Sequence, residues 1–581
     1  MLQHGVQMID ATSARFALWA PDARSVTLKI AGQAAIELLP ETDGWYGGVA
    51  PCQAGDRYHF VIDDDLEVAD PASRFQPEGV HGPSEVIDLA GYQWKHEWHG
   101  RPWHEAVIQE LHVGVLGGYK GVAARLPQLA DIGVSAIELM PVNAFPGERN
   151  WGYDGVLPYA PQHNYGSAHD LCSLIDQAHG QGLMVMLDVV YNHFGPDGNF
   201  LHAYASPFFR EDRQTPWGAA IDFRRPEVRE YFIQNALMWI CDYRFDGLRL
   251  DAVHAINDPD FLVELAQRVR KAIAPGRQVW LVLENEHNQA DLLEKGIDAQ
   301  WNDDGHNALH VLLTGEVEGY YEDYKDAPIE KLARCLGEGF VFQGQKNRHG
   351  EPRGEPSGHL EPASFVLFLQ NHDQIGNRAF GERLTRLCPP EALRAATTLL
   401  LLSPMIPLLF MGDERGSRQP FLFFTDFHDE LADAVREGRR GEFASFGAFA
   451  EAEQRERIPD PNAASTFEAS HPDVDDESSH AWQTLYRQLL ALRRAHVIPA
   501  LPGTRPLGAN VLGEKALSAR WRLGDGQILR IDLNLGNQAQ TVDLPARAHW
   551  LFDSAEIDHC DTELAPRSCV VSLISPGQEA T

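Results

Sequence analysis

GLRLDAVHAINDPDFLVELAQRVRKAI, residues 247–273, is the stretch from which the fold is read. It opens with a short apolar run, GLRLDAV, that contains Asp251 near its end. It closes with PDFLVELAQRVRKAI, whose apolar residues recur at helical spacing behind Pro259. Strand, loop and helix make the unit of a parallel sheet, because parallel strands need a crossover and a helix is its usual form. The same texture lies on both sides. AVIQELHV (106–113) precedes GVAARLPQLADIG (121–133), and VSAIELMPV (134–142) precedes a long loop and AHDLCSLIDQAHGQG (168–182). LMVMLDVVYNH (183–193) precedes another loop and PEVREYFIQNALMWICDYR (226–244). VWLVLENE (279–286), IDAQWND (297–303), SFVLFLQNHD (364–373) and IPLLFMGDE (406–414) complete eight strand candidates. Apolar runs of this kind are buried on both faces, and eight of them alternating with amphipathic helices predict an α/β fold, a closed (β/α)8 TIM barrel.

The flanks read differently. FALWAP (16–21), SVTLKIA (25–31), WYGGVA (45–50) and DRYHFVID (56–63) are short aromatic or alternating runs between turns. They predict a small N-terminal β-sandwich of the immunoglobulin or carbohydrate-binding-module type. KALSARWRL (515–523), GQILRIDLNL (526–535), AQTVDLP (539–545) and SCVVSLI (568–574) predict a second β-sandwich at the C-terminus. The expected domains are residues 1–95, 96–498 and 499–581. AWQTLYRQLLALRRAHV (481–497) is read as the helix that closes the barrel, and the polar, acidic stretch 451–480 as an exposed excursion.

Composition narrows the partners. A net charge of −34 argues against nucleic acid and anionic membranes, which attract surplus Lys and Arg, and is compatible with a neutral substrate. TTLLLLSPMIPLLFMG (397–412) is too short to span a bilayer and is broken by Pro404 and Pro407. The N-terminus shows no basic segment followed by an apolar run, so no signal peptide is expected. Seven scattered cysteines without a CxxC pattern are expected as reduced, mostly buried thiols in a cytoplasm.

Three strand-like runs end in carboxylates in the order Asp251, Glu284, Asp373. Carboxylates leaving the C-terminal ends of parallel strands converge in a barrel mouth. Cleavage of a glycosidic bond needs that set: a nucleophile, a proton donor and a group that steadies the cationic transition state. Asp251 is read as the nucleophile, with Arg249 two residues earlier on the same strand face. Glu284 is read as the acid, kept protonated by apolar surroundings; Glu286, on the same face of an extended strand, is the competing carboxylate. Asp373 is read as the transition-state partner. His193 and His372 are expected to donate to sugar hydroxyls, and Tyr153 to stack under a ring, with Trp151 and Trp217 as further aromatic candidates. His next to acid also suggests a metal site, but there is no HExxH and no compact cluster of His ligands, so no metal is expected. GPDGNF, with Asp197, Gly198 and Asn199, reads as a plain turn. No cofactor is implied, since carboxylate chemistry needs none.

DVVYNH, GLRLDAVH, LENE and QNHD resemble, in order, the four sequence regions of the α-amylase superfamily, glycoside hydrolase family 13. The resemblance implies that Asp251, Glu284 and Asp373 are nucleophile, acid/base and transition-state stabiliser. It further implies that Arg249, His193 and His372 orient substrate, that Asp188 supports Arg249, and that His254 lies on the acceptor side. DPASRFQPEGVHGPS, FPGERNWGYDGV, NHFGPDGNFL, GFVFQGQ, QNHDQIGNRAFGERL and FLFFTDF are similar to the maltooligosyltrehalose trehalohydrolase family within it. That likeness implies hydrolysis, with retention, of the α-1,4 bond next to the terminal trehalose of a maltooligosyl trehalose. It also implies a functional pairing with a maltooligosyl trehalose synthase. Departures fall at Gly305 and Asn307, where the family tends to carry larger side chains, at GVLGGYKG (114–121) and at MGDERGSR (411–418). They point to an altered acceptor side. Two other classes compete: a glucan-branching or debranching enzyme, which needs a site for α-1,6 bonds, and a glucan-binding scaffold, which would usually have lost a carboxylate.

Overall fold

The computed structural model describes residues 4–215, 217–472, 477–543, 548–555 and 563–576. Eight parallel strands close on themselves in chain order: Ile108–Leu111, Ala136–Leu139, Met184–Val189, Gly247–Leu250, Trp280–Leu283, Ala299–Trp301, Phe365–Phe368 and Ile406–Phe410. Each coincides with one of the eight apolar runs. Closure is the parallel pairing of the first strand with the eighth, Ile108 opposite Leu408.

Alternation along each strand sorts side chains between the barrel interior and the helical shell. Ile108, Ala136, Met184, Met186, Val282, Ala299, Trp301, Val366, Phe368, Ile406 and Leu408 pack together as the interior core. Ile137, Leu139, Leu248, Leu250, Leu281 and Leu283, one residue out of phase, join the core shared with the helices. Continued towards the C-terminal ends, the interior phase reaches Glu110, Glu138, Asp188, Arg249 and Glu284. The barrel is therefore apolar at its base and ionic at its mouth.

The helices follow their caps. Ala168–Gly180 begins with a capping box between Ser167 and Asp170. Pro259–Ala272 begins where the Asp258 side chain accepts from the Phe261 N–H. Helix Glu477–Leu492 closes the barrel; the buried Arg493 just beyond it donates to the carbonyls of Leu401, Ser403 and Met405, which lead into the eighth strand.

Ahead of the barrel, two antiparallel sheets pack face to face through Phe16, Leu18, Leu28, Tyr58 and Phe60. They lean on the barrel through Ser206 N–H to Asp22 and Tyr231 O–H to the Pro71 carbonyl. After it come a five-stranded antiparallel sheet, Arg505–Gly513 to Ser568–Ile574 with His549–Asp553 at its edge, and a two-stranded sheet. Leu517, Trp521 and Leu533 bury the larger sheet against helices Pro328–Glu338 and Pro390–Leu402.

The excursion is less exposed than its composition suggests. Asn462 accepts at its side-chain oxygen from Thr425 and from the Phe427 N–H, and Ser470 accepts from the Leu422 N–H. Ile458, Thr466 and Ser470 are buried. The segment braces residues 421–427, which in turn support the site. The acidic run near Asp473 lies outside the described residues. Cys52, Cys172, Cys335 and Cys569 are buried free thiols, Cys388 is half-buried and Cys241 exposed. Among the described residues no helix is long and apolar enough to cross a membrane.

Candidate active site

Arg249 is the centre around which the carboxylates assemble. It lies on the interior face of the fourth strand and is 1 % exposed. Its Nη1 donates to Asp188 Oδ2 at 2.7 Å and to Asp251 Oδ1 at 2.8 Å. Nη2 lies 2.9 Å from Glu284 Oε2. The guanidinium rests on Trp301, 4.0 Å from the ring centroid. One cation thus binds three carboxylates from three successive strand ends.

Asp251 follows the fourth strand by one residue, and its second oxygen accepts from Asn192 Nδ2 at 2.8 Å. Ala252 is left-handed (φ 40°), a conformation that β-carbon sterics disfavour. That turn aims the Ala252 N–H at Glu284 Oε2, 2.8 Å away. Glu284 is half-buried, and both of these contacts fall on Oε2. Its surroundings are therefore not the apolar ones inferred from VWLVL: an arginine and a backbone N–H face it. The expectation for Glu286 also fails. The fifth strand ends at Leu283, so the two-residue spacing no longer sets a common face. Glu286 is exposed, and its carbonyl accepts from Arg353.

Asp373 sits on the short helix His372–Gly376, capped by the Asn371 side chain. Gly376 is obligatory there, since a β-carbon would lie 2.0 Å from Trp151 Cζ2. Trp151 is buried, stacks on Phe421 and donates to the Leu422 carbonyl. It is a packing anchor for the helix carrying Asp373, not a sugar platform. Burial raises the Asp373 pKa above the ordinary carboxylate value; His372 opposes this and Glu284 adds to it.

His372 is buried, and Glu110 accepts from both its ring Nδ1 and its backbone N–H. Burial works against its charge, but Glu110 prevails and the imidazole pKa is raised. Tyr153 stacks on His372, with centroids 5.0 Å apart and planes 21° apart, and its hydroxyl donates to Asp188 Oδ2 at 2.6 Å. The ring is thus itself held by stacking, with one face against an imidazole. Burial lifts Asp188 to about 7, with Arg249 opposing and Asp251 reinforcing.

His193 is placed less simply than expected. Its ring nitrogens lie against the Asn192 side-chain oxygen and the Tyr153 carbonyl, so both are occupied by protein groups. Trp217, 47 % exposed, stacks on it at 4.7 Å and 12° from the hairpin Phe209–Thr215/Gly218–Ile221. Trp217 thereby presents an open aromatic face over His193. His254 follows on the short helix Val253–Ile256, half-buried, near His287. Gly305 faces away from the mouth: a β-carbon would lie 2.6 Å from Leu367 Cδ1 and 3.1 Å from Cys335 Sγ. This departure is a packing accommodation and does not shape the acceptor side. Among the described residues no group of three or more His, Cys, Asp or Glu is arranged to hold a metal ion. Asp197 pairs with His81 in its turn.

Sequence reasoning missed Glu110, Asn192 and Trp301. The one signal available was the interior phase of the first and sixth strands, which selects Glu110 and Trp301 by two-residue spacing.

Tyr153 offers a graded test of the site. Tyr153→Ala is expected to cut kcat/KM by about 100-fold, since small misplacements of oriented groups cost that much. Tyr153→Phe, which keeps the ring and loses only the Asp188 hydrogen bond, should cost about tenfold or less. Steady-state kinetics of both variants decide it; an unchanged Tyr153→Ala would remove the ring from the site.

The family model described as alpha amylase, catalytic domain, matches residues 83–217, and a domain of unknown function, DUF3459, matches residues 505–571. The malto-oligosyltrehalose trehalohydrolase of Deinococcus radiodurans is 43% identical over 497 residues, 83% of this chain and 81% of that one. The enzyme of the same name from Rhizobium sp. is 38% identical over 96% of this chain and 97% of its own. A crystal structure from Salmonella typhimurium superposes with a TM-score of 0.93 at 42% identity, covering 99% of this chain and 100% of that one.

Proposed function

The chain belongs to the malto-oligosyltrehalose trehalohydrolase family, and from that premise we propose that it hydrolyses the α-1,4 bond adjacent to the terminal trehalose of maltooligosyl trehalose. The products are trehalose and a maltooligosaccharide. The observation that carries the reading is the single guanidinium bound to Asp251 and Glu284 at 2.8 and 2.9 Å.

Asp251 attacks the anomeric carbon while Glu284 protonates the departing trehalose oxygen. Glu284 then deprotonates the water that releases the glycosyl group from Asp251. Retention requires the two carboxyl groups about 5–5.5 Å apart, whereas inversion needs a wider gap to admit water. One planar guanidinium gripping both supports the narrow arrangement. Asp373, on its rigid helix, grips hydroxyls of the reacting sugar and strengthens that grip as the ring flattens. His372, tied to Glu110, and Tyr153, tied to Asp188, form the stacked wall beside that sugar. Asp188 positions Arg249, His193 carries Trp217, and His254 lies towards the acceptor. Trp217 is the exposed platform for the next ring.

The reaction consumes a chain whose reducing end has already been converted to trehalose. An enzyme that makes this linkage, a maltooligosyl trehalose synthase, is the functional partner the reading requires. The free thiols support a cytoplasmic setting.

Parallel digestion of maltotriosyl trehalose and maltopentaose tests the assignment. Trehalose and maltotriose from the first, with little attack on the second, are the expected result. Equal cleavage of both would replace the reading by a general α-glucanase, and cleavage of neither by a branching or debranching enzyme.

A further inference from the structure

Three members of the arginine network each hold a buried polar atom without a hydrogen-bond partner: Asp188 Oδ1, Arg249 Nε and Trp301 Nε1. Glu138 has two, since neither of its carboxyl oxygens finds one, and the residue is 1 % exposed. A buried carboxylate without a donor is too costly to stand as it is.

The side chain is directed by the strand. Glu138 shares the interior phase of the second strand with Ala136, and it lies opposite Glu110 on the first strand and Met186 on the third. The charged groups that face it are Asp188 from the third strand, Glu110 from the first and Arg249 from the fourth. Glu110 is already paired with His372, and the guanidinium already binds Asp188, Asp251 and Glu284. Burial, then repulsion by Asp188 and Glu110, holds the Glu138 carboxyl well above the usual carboxylate range; only Arg249 opposes.

The orphaned atoms can be met with Glu138 uncharged. Arg249 Nε and Trp301 Nε1 are donors and Asp188 Oδ1 is an acceptor. A neutral carboxylic acid supplies one O–H and one carbonyl, which together with water complement all three. An ionised Glu138 would instead add a charge that faces Asp188 and Glu110 and competes with the bound carboxylates for the guanidinium.

Resting on the trehalohydrolase reading, we propose that Glu138 is a positioning residue for the reaction. It is an uncharged carboxylic acid that, through ordered water, satisfies Asp188, Arg249 and Trp301 and keeps the guanidinium aligned under Asp251 and Glu284. A water site of this kind needs two to four polar partners; the unpartnered buried atoms of the network are Asp188 Oδ1, Arg249 Nε, Trp301 Nε1 and the two Glu138 oxygens. If Glu138 ionised, the guanidinium would be drawn towards the barrel interior and its grip on the reacting carboxylates weakened.

The full-length enzyme carrying Glu138→Gln or Glu138→Met tests this on maltotriosyl trehalose. The amide is neutral and keeps a donor and an acceptor, so kcat is expected within about threefold of the wild type, with an unmoved pH profile of kcat/KM. Methionine matches the volume and is expected to fold, because an apolar replacement of a buried ionisable group is often neutral or stabilising. It leaves the orphaned atoms unmet, so kcat should fall by about tenfold or more at unchanged KM. The infrared difference between wild type and Glu138→Gln should contain a protonated-carboxyl band at neutral pH. A tenfold loss or a displaced acid limb in Glu138→Gln would overturn the proposal in favour of an ionised role. Full activity in Glu138→Met would reduce the residue to a space-filler, and a missing infrared band would refute the neutral acid. Should Glu138→Met fail to fold, the pH profile and infrared band of Glu138→Gln decide alone. A wild type that releases no trehalose would defeat the functional reading and leave the infrared result standing.

Discussion

Asp251→Asn should abolish turnover, lowering kcat by at least about 10⁴-fold while leaving substrate binding nearly unchanged. The amide has the shape of the carboxylate but cannot form the glycosyl ester. Its neighbours explain why little else should change. Arg249 retains Asp188 and Glu284, Asn192 retains the Asp251 backbone carbonyl as acceptor, and the strand is unaltered. One donor, Asn192 Nδ2 or Arg249 Nη1, would meet the amide nitrogen and lose its partner, a cost of about 1–3 kcal/mol in stability. Kinetics together with calorimetric titration of the inactive protein measure both halves. Retained activity would remove Asp251 from the nucleophile role, and lost binding with a collapsed melting temperature would make it structural.

Glu284→Gln should cost about 10³- to 10⁴-fold on maltooligosyl trehalose, the scale of a removed general acid acting on a poor leaving group. The loss should depend on the leaving group. A maltooligosyl fluoride departs without a proton, so the first step should be largely restored with this variant and not with Asp251→Asn. Without its general base the second step stays slow, and the glycosyl group should accumulate on Asp251, visible as a mass increase. Equal losses on both substrates would refute the acid/base assignment. Exposed Glu286 would then have to be reconsidered, although its distance from the strand phase makes it a poor candidate.

The barrel was legible because each strand is buried on both faces and so spells itself as an apolar run. Asp251 and Glu284 were legible for the same reason: each continues an interior phase past the end of its strand. What was not legible depends on contacts between distant segments. Glu110 reaches His372 across 262 residues, and Asn192 reaches Asp251 across 59. Neither pairing leaves a local pattern. Trp301 looked like a strand residue and became the floor beneath a guanidinium. Glu286 was misplaced because a period of two was carried beyond the strand that sets it. Trp151 was indistinguishable from a platform until its indole was seen stacked on Phe421 and bound to the Leu422 carbonyl, 271 residues away in the chain. Gly305 read as a gap in the acceptor side because nothing local tells a glycine facing solvent from one pressed against Leu367.

The most direct test of the central claim is proton NMR of the first turnovers on maltotriosyl trehalose, before mutarotation mixes the anomers. Trehalose and α-maltotriose appearing together are the predicted result, because both follow from attack by Asp251 on the bond next to trehalose. β-Maltotriose as the first product would contradict the covalent route. Glucose or longer fragments in place of trehalose would contradict the site of cleavage.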